Sequence, residues 1–576
     1  MAAKNRDIAD ILETIADLLE IDEANAFRVR AYRNAARTIS SLSEELAEMA
    51  ERGDDLSELP DIGGSMAEKI ETIVETGSLP QLEKLEKKVP PELRDLLQLE
   101  NLGPKKAGGL YRELGIKTVD ELEEAAREQK VRDIPGFGEK TERSLLEEIG
   151  RHKEERAGET RYLWSTAEDI VSSLLGYLGE VGGVGRVEAA GSYRRRKETV
   201  GDLDILVICD DREGVMQAFT EFEDVQRVLS RGATRSAVAL RSGMHVDLRA
   251  VEEESYGAAL LYFTGSKAHS VALRKMGQER DLKINEYGVF KDERSVAGRT
   301  EEEIYGKLDL PLIPPELREN RGEIEAARGD GLPDLVELDD IRGDLQSHTD
   351  ATDGKYSLED MAAAAREKGY DYLAVTDHSK RVTMAKGLDE KRLAGQMEKI
   401  DELNEGFDGF RILKSVEVDI LKDGSLDLSD DILKELDLVI ASVHYDTKLP
   451  AEKQTERIIR GLDNPYVNIL AHPTGRIIGQ RRAYEMDVRR IAGAAKERRC
   501  YLEINAQPER LDLSDVYAKM ARDMDLKLAI STDAHATSEL EFMRYGVGQA
   551  RRGWLERKDV LNTRTWKQLA KLLKRS

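Results

Sequence analysis

The chain has 576 residues, more than one hydrophobic core usually holds, so the sequence predicts several domains. Its formal net charge of −25 excludes a surface that attracts nucleic acid everywhere, because phosphate contacts come mainly from Lys and Arg, and a polynucleotide must therefore meet local basic patches. No apolar run is long enough to span a membrane, and the charged start Met1–Asp7 is unlike a signal peptide, so we expect a soluble, cytoplasmic protein without a membrane partner.

The first 155 residues have the apolar spacing of helices, interrupted by three glycine turns. The turns are Leu59–Gly63, Leu99–Gly103 and Ile134–Gly138, and each precedes a predicted helix. Such a turn exposes backbone N–H groups at a helix start, where a phosphate is favoured. Only the third turn has the sequence Gly-x-Gly; in the first two turns, Asp61 and Asn101 take the place of its first glycine. An aspartate there would repel phosphate. Ordinary helical hairpins are the alternative.

The segment 191–204 joins a Gly-Ser turn and a cationic run to two carboxylates, Asp202 and Asp204, directly before an apolar strand. The period of two in a strand puts both carboxylates on one face. A neighbouring strand with alternating apolar residues supplies a third, Asp247. Such carboxylates suit Mg²⁺ or Mn²⁺, which complete their shells with water and substrate phosphates. A solvated turn is the alternative for an isolated Asp-x-Asp.

Beyond residues 328–334, which suit a linker, strand-like runs alternate with helical segments. Each of the five histidines in this half follows a strand-like run: His348, His378, His444, His472 and His535. Repeated βα units predict a barrel of parallel strands, with functional groups at the C-terminal strand ends. Imidazole together with carboxylate suits zinc, manganese or iron, and a cluster this rich suggests more than one ion.

The glycine turns, the segment 191–204 and the motifs Leu261–Ser266 and Ile284–Tyr287 together resemble a family X DNA polymerase, the group of DNA polymerase beta, over residues 1 to about 318. The resemblance implies that the catalytic metals are held by Asp202, Asp204 and Asp247. It implies nucleotide contacts by Gly191, Ser192, Arg195, Tyr262, Phe263 and Gly265. It implies coupling of nucleotide binding to thumb closure by Arg249, Arg274 and Glu286.

The chain departs from this family at two positions. Arg196 stands where relatives carry Gly, and Ser270 stands where an Asn often touches the base edge. Checking of the base pair could therefore differ from that in DNA polymerase beta.

The N-terminal subdomain of this family can carry a sugar-phosphate lyase, and Lys69 falls at the position of its Schiff-base lysine. Ser57 and Ser65 stand where DNA polymerase beta has phosphate-holding lysines. Phosphate contacts would then fall to Arg28, Tyr32 and Arg33. We expect weak lyase activity at most, and an ordinary surface lysine is the alternative.

The second half resembles the PHP domain, the polymerase and histidinol phosphatase fold, a (β/α)7 barrel that binds up to three metals and hydrolyses phosphoesters. The residues that match its ligands are His348, Asp353, His378, Glu417, His444, His472, Asp533 and His535. The first motif of that family is usually His-x-His, but here Gln346 takes the first position. Because an amide oxygen binds transition metals more weakly than imidazole, one site should be labile or favour manganese. We expect two to three Mn²⁺ or Zn²⁺ ions.

The expected architecture is multidomain. An α-helical DNA-binding or lyase-like subdomain (1–90) carries the first helix-hairpin-helix, and a fingers-like helical subdomain (91–157) carries two more. An α/β nucleotidyltransferase palm (158–253), a thumb (254–320), a linker (321–338) and a PHP phosphoesterase barrel (339–576) follow.

We expect a monomeric polymerase that binds gapped or nicked DNA and dNTPs and fills short gaps in base excision repair. The PHP domain would add manganese-dependent 3′→5′ exonuclease and abasic-site endonuclease activity. A polymerase with a degenerate, structural PHP domain and a template-free nucleotidyltransferase are the alternatives. A non-enzymatic DNA-end scaffold is a third, which the three carboxylates argue against.

Overall fold

The computed structural model divides the chain into two compact units, Met1–Thr160 and Arg161–Ser576. It describes residues 5–573 except positions 23, 43, 91, 92, 94, 95, 98, 100, 101, 135, 136, 140, 143, 147, 148, 150–160 and 330. Four positions of the predicted glycine turns lie outside the described residues: Glu100, Asn101, Pro135 and Gly136. Among the described residues, no helix combines the length and the apolar composition that a membrane crossing needs.

The first unit is helical, as the sequence predicts. Its described helices are α1 (Asn5–Ile21), α2 (Ala26–Ser40), α3 (Leu46–Arg52), α4 (Gly64–Thr76), α5 (Pro80–Glu86), α6 (Pro104–Leu114) and α7 (Val119–Arg127). Helix α1 buries one stripe with the predicted spacing, which includes Ile8, Leu12, Ile15, Leu18 and Leu19. Apolar side chains from both predicted helical subdomains join in one continuous core.

Two of the glycine turns lead directly into helices. Gly63 is the N-cap of α4, and Gly103 is the N-cap of α6. Asp61 has a φ of 60°, the left-handed conformation that glycine adopts most easily. The first turn therefore keeps the backbone geometry of a glycine turn, although its carboxylate disfavours a nearby phosphate.

The second unit begins with a five-stranded sheet in the order β2-β4-β7-β6-β5 and a separate β1-β3 ribbon. The strands are β1 (Tyr162–Leu163), β2 (Val184–Ala189), β3 (Thr199–Val200), β4 (Asp202–Cys209), β5 (Val225–Arg231), β6 (Arg235–Leu240) and β7 (His245–Ala250). The accompanying helices are α8 (Trp164–Gly179), α9 (Gly191–Arg194) and α10 (Arg212–Thr220). In β4, Leu203 and Ile205 face one buried core and Leu206 faces another, so the sheet is covered on both sides.

The next segment forms a smaller subdomain with its own core. Its elements are α11 (Tyr256–Thr264), α12 (Lys267–Gln278), β8 (Leu282–Asn285), β9 (Gly288–Lys291), β10 (Arg294–Ala297), α13 (Glu301–Lys307) and α14 (Glu323–Arg328). Helix α14 lies within the predicted linker 321–338. Glu323 there is fully buried and lies 2.6 Å from Nδ1 of His269, so this stretch packs onto the subdomain before it.

The rest of the chain is a barrel of seven parallel strands that follow one another in chain order. The strands are β11 (Gly343–Asp344), β12 (Tyr372–Val375), β13 (Arg411–Asp419), β14 (Leu438–Ser442), β15 (Ile469–Leu470), β16 (Tyr501–Asn505) and β17 (Leu528–Ser531). The helices are α15 (Leu358–Glu367), α16 (Glu390–Glu405), α17 (Asp430–Leu433), α18 (Ala451–Asp463), α19 (Val488–Glu497), α20 (Asp515–Asp523), α21 (Met543–Arg552) and α22 (Trp566–Leu573). A bridge between Ser347 and Ala534, just beyond the first and last strands, nearly closes the barrel.

Two candidate active sites

The three carboxylates predicted to bind metal meet at one end of β4 and β7. These strands are parallel neighbours, and their register pairs Asp204 with Asp247. Asp202 precedes Asp204 by two residues, so both side chains lie on one face. Burial, followed by the charges of Asp202 and Asp247, raises the pKa of Asp204 to about 6. A divalent cation relieves this repulsion, so the three side chains fit such an ion.

A cavity of about 500 Å³ includes Asp202 and Asp204 in its lining. Seven of the predicted nucleotide contacts also line it: Gly191, Ser192, Arg195, Tyr262, Phe263, Gly265 and Arg274. Gly191 has a φ of 64°, and a Cβ there would lie 3.2 Å from Oδ2 of Asp204, so the Gly-Ser turn approaches the carboxylate closely. Carboxylates facing a glycine turn and several cations suit a triphosphate with its metal ions.

Arg249 and Glu286 lie in an adjoining cavity of about 340 Å³. Phe263 lines both cavities, and the Arg249 guanidinium lies 4.3 Å from the centroid of its ring. Asp247 accepts a hydrogen bond of 2.8 Å from Nε of Arg235, which also lines the second cavity. The structure thus places these two predicted residues beside the nucleotide cavity and not in it.

Three further cations line the 500 Å³ cavity: Lys197, which belongs to the cationic run of segment 191–204, and Arg161 and Lys267, which the sequence prediction missed. Arg161 donates to Oγ1 of Thr199 at 2.8 Å, which holds it against β3, just before Asp202. Lys267 directly follows the motif Leu261–Ser266, so its position in the sequence was a usable signal. Arg161 is remote from every motif, and only folding brings it to the cavity.

Arg196, which replaces the family's glycine, has a φ of 53°. The position therefore has the left-handed backbone that glycine adopts most easily. Contacts of the Arg196 side chain can offset the cost of this backbone conformation. Its Nε lies 3.3 Å from Glu316, and its guanidinium lies 5.9 Å from the centroid of the Trp164 ring.

In the barrel, the predicted ligands converge at the C-terminal ends of the strands, around Glu417. Oε2 of Glu417 lies 2.9 Å from Nδ1 of His378. Its Oε1 lies 3.0 Å from Nε2 of His472 and 3.5 Å from Nε2 of His444. A carboxylate in contact with three imidazoles can bridge metal ions that those imidazoles bind.

A second set of ligand atoms lies within 4.8 Å of one another and shares His378: His348, Asp353, His378 and His535. The rings of His348 and His535 stack, with their centroids 4.3 Å apart. Asp533 approaches the set from β17, with Oδ1 3.0 Å from Nε2 of His348. All eight predicted ligands therefore belong to one continuous cluster.

Several donor atoms of this cluster are buried and unsatisfied. In the described part of the chain, four side-chain atoms of the cluster have no hydrogen-bond partner: Gln346 Oε1, His348 Nδ1, His472 Nδ1 and Glu503 Oε1. An unsatisfied buried polar atom costs about 1–3 kcal/mol. A cation would satisfy several of these atoms at once, so the cluster fits divalent ions.

Gln346, the departure from His-x-His, is fully buried inside this cluster. Its Nε2 donates to Oδ1 of Asp533 at 3.3 Å, which leaves Oε1 as the atom that can face a metal. The amide therefore takes the place of an imidazole and offers an oxygen ligand instead of nitrogen.

Two carboxylates of the cluster were missed by the sequence prediction. Glu503 in β16 is fully buried, and its Oε2 accepts from the backbone N–H of His472 at 2.6 Å. Burial and the neighbouring Asp533 raise the pKa of Glu503 well above its usual value. Asp419 accepts from the backbone N–H of His444 at 3.0 Å, and the same Oδ1 lies 3.3 Å from Nδ1 of the His444 ring, so Asp419 can orient the imidazole. A charged residue inside an apolar strand was the available signal for both carboxylates.

Lys69, in α4 of the first unit, is held by its own helix. Its Nζ donates to the carbonyl oxygen and Oγ of Ser65, both at 2.8 Å, and lies 5.7 Å from the centroid of the Tyr32 ring. Burial, together with the charge of Arg28, lowers the pKa of Lys69. Arg33, expected to contact phosphate, is instead paired with Asp17 and Glu20.

Comparison with known proteins matches each part of the chain to a described family. A model described as DNA polymerase beta palm matches residues 166–248, and one described as DNA polymerase beta thumb matches 259–319. The PHP domain matches 344–507. A helix-hairpin-helix domain matches 3–79, and a SAM-like helix-hairpin-helix tandem matches 93–151. The chain therefore has the parts of a family X DNA polymerase with a C-terminal PHP domain.

A full-length relative establishes the family. The chain is 40% identical over 575 residues to the DNA polymerase/3'-5' exonuclease PolX of Bacillus subtilis (strain 168), and the match covers 99% of each chain. The chain belongs to the family of that protein. It is also 31% identical over 231 residues to a probable phosphatase of Thermoanaerobacter sp. (strain X514), which covers 38% of this chain and 89% of that relative.

Proposed function

We propose that the chain is a DNA-directed DNA polymerase that fills short gaps during repair, and that its barrel is a manganese-dependent 3′→5′ exonuclease. The polymerase proposal depends on one observation: Asp204 pairs with Asp247 across β4 and β7, and Asp202 and Asp204 line a cavity that the Gly-Ser turn and several cations also line. The full-length likeness to a polymerase/exonuclease supports both parts.

In the polymerase site, Asp202, Asp204 and Asp247 would hold Mg²⁺ or Mn²⁺. The ions would supply charge for the attacking and leaving oxygens of nucleotidyl transfer. The Gly191-Ser192 turn and Arg195 would bind the phosphates. Through these contacts the chain would orient the incoming dNTP before the transfer.

The opposite side of the cavity would select the sugar and the base. The rings of Tyr262 and Phe263 lie 5.1 Å apart, centroid to centroid, and line the cavity together with Ser270. They would pack against the deoxyribose and leave little room for a 2′-hydroxyl. Ser270 would meet the base edge with a shorter side chain than the Asn of related enzymes.

Primer extension on a one-nucleotide gap tests the polymerase proposal. Wild-type protein should add the templated dNMP with Mg²⁺ or Mn²⁺, and Asp202→Asn, which keeps the shape of the side chain, should not. The matched control is Asp210→Asn, an exposed aspartate just after β4, which should extend normally. A wild-type protein that fails to incorporate the templated nucleotide would refute the proposal.

In the barrel, two sets of ligands would hold two to three Mn²⁺ or Zn²⁺ ions: the set around His348 and the set around Glu417. Gln346 Oε1 would be a weaker ligand. The ions would supply a nucleophilic water and charge for phosphodiester hydrolysis. Asp419 and Glu503 would keep His444 and His472 oriented through their backbone N–H groups. Cleavage at abasic sites would use the same centre.

Digestion of a 3′ recessed primer tests the nuclease proposal. We expect manganese-dependent shortening by the wild-type protein and by Asp202→Asn, and loss of it in His348→Ala. Metal analysis of the same samples should show fewer bound ions in His348→Ala. Equal degradation by all three proteins would identify a contaminating nuclease.

We also propose a weak 5′-deoxyribose phosphate lyase at Lys69. The lowered pKa of its amine supports the role, because more of the nucleophilic neutral form is present near pH 7. Borohydride trapping on a nicked abasic duplex should be reduced in Lys69→Ala. Lys106, in the first turn of α6, provides the control variant Lys106→Ala. Equal trapping by wild type and Lys69→Ala would remove the assignment.

A further inference from the structure

The barrel packs against the polymerase half through helix α21. Trp164 of the palm packs against Tyr545 edge to face, with the ring centroids 5.1 Å apart. Gly548 lies so close that a Cβ there would come within 2.6 Å of the Trp164 ring. Because both domains are tightly packed at this contact, α21 can fix the position of groups on the polymerase side.

Arg552, the last residue of α21, reaches from the barrel to the loop that lines the nucleotide cavity. Its side chain is 4% exposed. One nitrogen donates to the carbonyl oxygen of Arg195 at 2.7 Å and to Oε1 of Glu319 at 3.1 Å. The other donates to Oδ2 of Asp515 in α20 at 2.7 Å. The Arg552 guanidinium thus connects Asp515 of the barrel to Arg195, just after the Gly-Ser turn, and to Glu319, at the end of the thumb.

Glu319 connects Arg552 to the side chain of Arg195. The same Oε1 accepts from Nε of Arg195 at 3.1 Å. Burial alone would raise the pKa of Glu319, but Arg552 and Arg195 hold it at about 2, so the carboxylate stays charged. Arg195 also donates to the carbonyl oxygen of Thr264. The backbone and the guanidinium of Arg195 are therefore both oriented by contacts that involve Arg552.

We propose that Arg552 of the PHP domain is a positioning residue of the polymerase site: it holds Glu319 and the Arg195 carbonyl so that Arg195 presents its remaining N–H donors to the triphosphate. This inference rests on the proposed polymerase function. Arginine suits the role because its planar group has five donors and a permanent charge, and can bond to oxygens on two sides.

Steady-state gap filling with Arg552→Gln tests the proposal. We expect the KM for the incoming dNTP to rise about tenfold and kcat to change less than about twofold, because a displaced Arg195 weakens phosphate binding. Nuclease activity and bound metal should stay at the wild-type level. Arg551→Gln is the matched control, since Arg551 precedes Arg552 on α21, has a side chain 12% exposed and bonds instead to Glu316, Val336 and Glu337; its KM should stay within about twofold.

A double variant separates positioning from general support of the fold. If Arg552 acts through Arg195, the KM of Arg195→Ala combined with Arg552→Gln should equal that of Arg195→Ala alone, whereas independent effects would multiply. An unchanged KM in Arg552→Gln, multiplying effects, or an equal rise in Arg551→Gln would overturn the proposal.

If Arg552→Gln does not fold, Arg552→Lys replaces it in the same assay. Lysine keeps the charge but cannot bond to oxygens in two directions from one planar group, so we expect a KM about threefold above wild type. A wild-type KM in this variant would also overturn the proposal. A wild-type protein without gap filling would refute the polymerase function itself, which is a different result from an insensitive KM in an active enzyme.

Discussion

The palm and the barrel both gather carboxylates for divalent ions, but they prepare their sites differently. In the palm, the predicted metal ligands are all carboxylates. Asp202 is exposed, and it lines an open cavity together with Asp204. In the barrel, His348, Glu417 and His472 are at most 3% exposed, and among the described residues His348 and His472 each carry a buried nitrogen without a hydrogen-bond partner. If both sites bind metal as proposed, the palm would need substrate phosphates to complete a metal shell, whereas the barrel would supply most of its shell itself.

Metal retention should separate the two sites most strongly. After gel filtration in metal-free buffer, we expect the barrel to keep its ions and the palm to lose its own. Glu417→Gln should weaken metal binding in the barrel by about 10²-fold or more, because Glu417 contacts three of the predicted imidazole ligands. This variant should therefore retain less metal than wild type. Asp202→Asn should retain as much metal as wild type. Mass-spectrometric metal analysis measures both, and equal loss in the two variants would contradict the comparison.

Stability should respond to Mn²⁺ through the barrel. At a concentration about 100 times the Kd, a bound ion stabilises the folded state by about 3 kcal/mol, and the ion also removes unsatisfied buried donors. Thermal unfolding should therefore shift upward with Mn²⁺ in wild type and in Asp202→Asn, but not in Glu417→Gln. Without dNTP and DNA, Mg²⁺ should have little effect. A shift that persists in Glu417→Gln would place the stabilising ion elsewhere.

Near the palm site, a buried carboxylate, Glu301, is neutralised by two arginines and not by metal ions. Burial alone would raise the pKa of Glu301, but Arg318 and Arg194 hold it at about 2. Because the folded pKa lies below the unfolded value of about 4.3, this contribution, on the order of 3 kcal/mol, is complete above that pH and is lost as the pH falls toward 2. Urea unfolding at pH 6 and pH 3 measures it. Glu301→Gln should be less stable at pH 6 and should lose less stability on acidification.

The smallest expected effect concerns Gln346. Gln346→His restores an imidazole at the first position of the motif, and we expect manganese to bind the weakest site about tenfold more tightly. Isothermal titration of metal-depleted protein measures the change, with Gln568→His at an exposed position of α22 as a control outside the cluster. An unchanged affinity would show that the amide oxygen already serves as well as imidazole.

Much of the fold could be predicted because its signals are local. The helical stripe of α1, the strand before each barrel histidine and the Asp-x-Asp of β4 follow from the period of each element. The positions of His378, His444 and His535 at strand ends also follow, because all strands of a parallel barrel end on one face. The domain boundaries remain predictions, and the predicted linker contains a packed helix, since buried contacts such as that of Glu323 leave no local signal.

By itself, the sequence determined which residue types gather and at which ends of which elements, because periodicity and turn chemistry act over a few residues. Only the tertiary structure decided that Asp204 faces Asp247, that Glu503 joins the histidine cluster, and that Arg552 of the barrel holds Arg195 of the palm. Arg195 and Arg552 are far apart in the chain. Contacts of this kind depend on how whole domains pack, and packing is set by the summed burial of many side chains that no short pattern encodes.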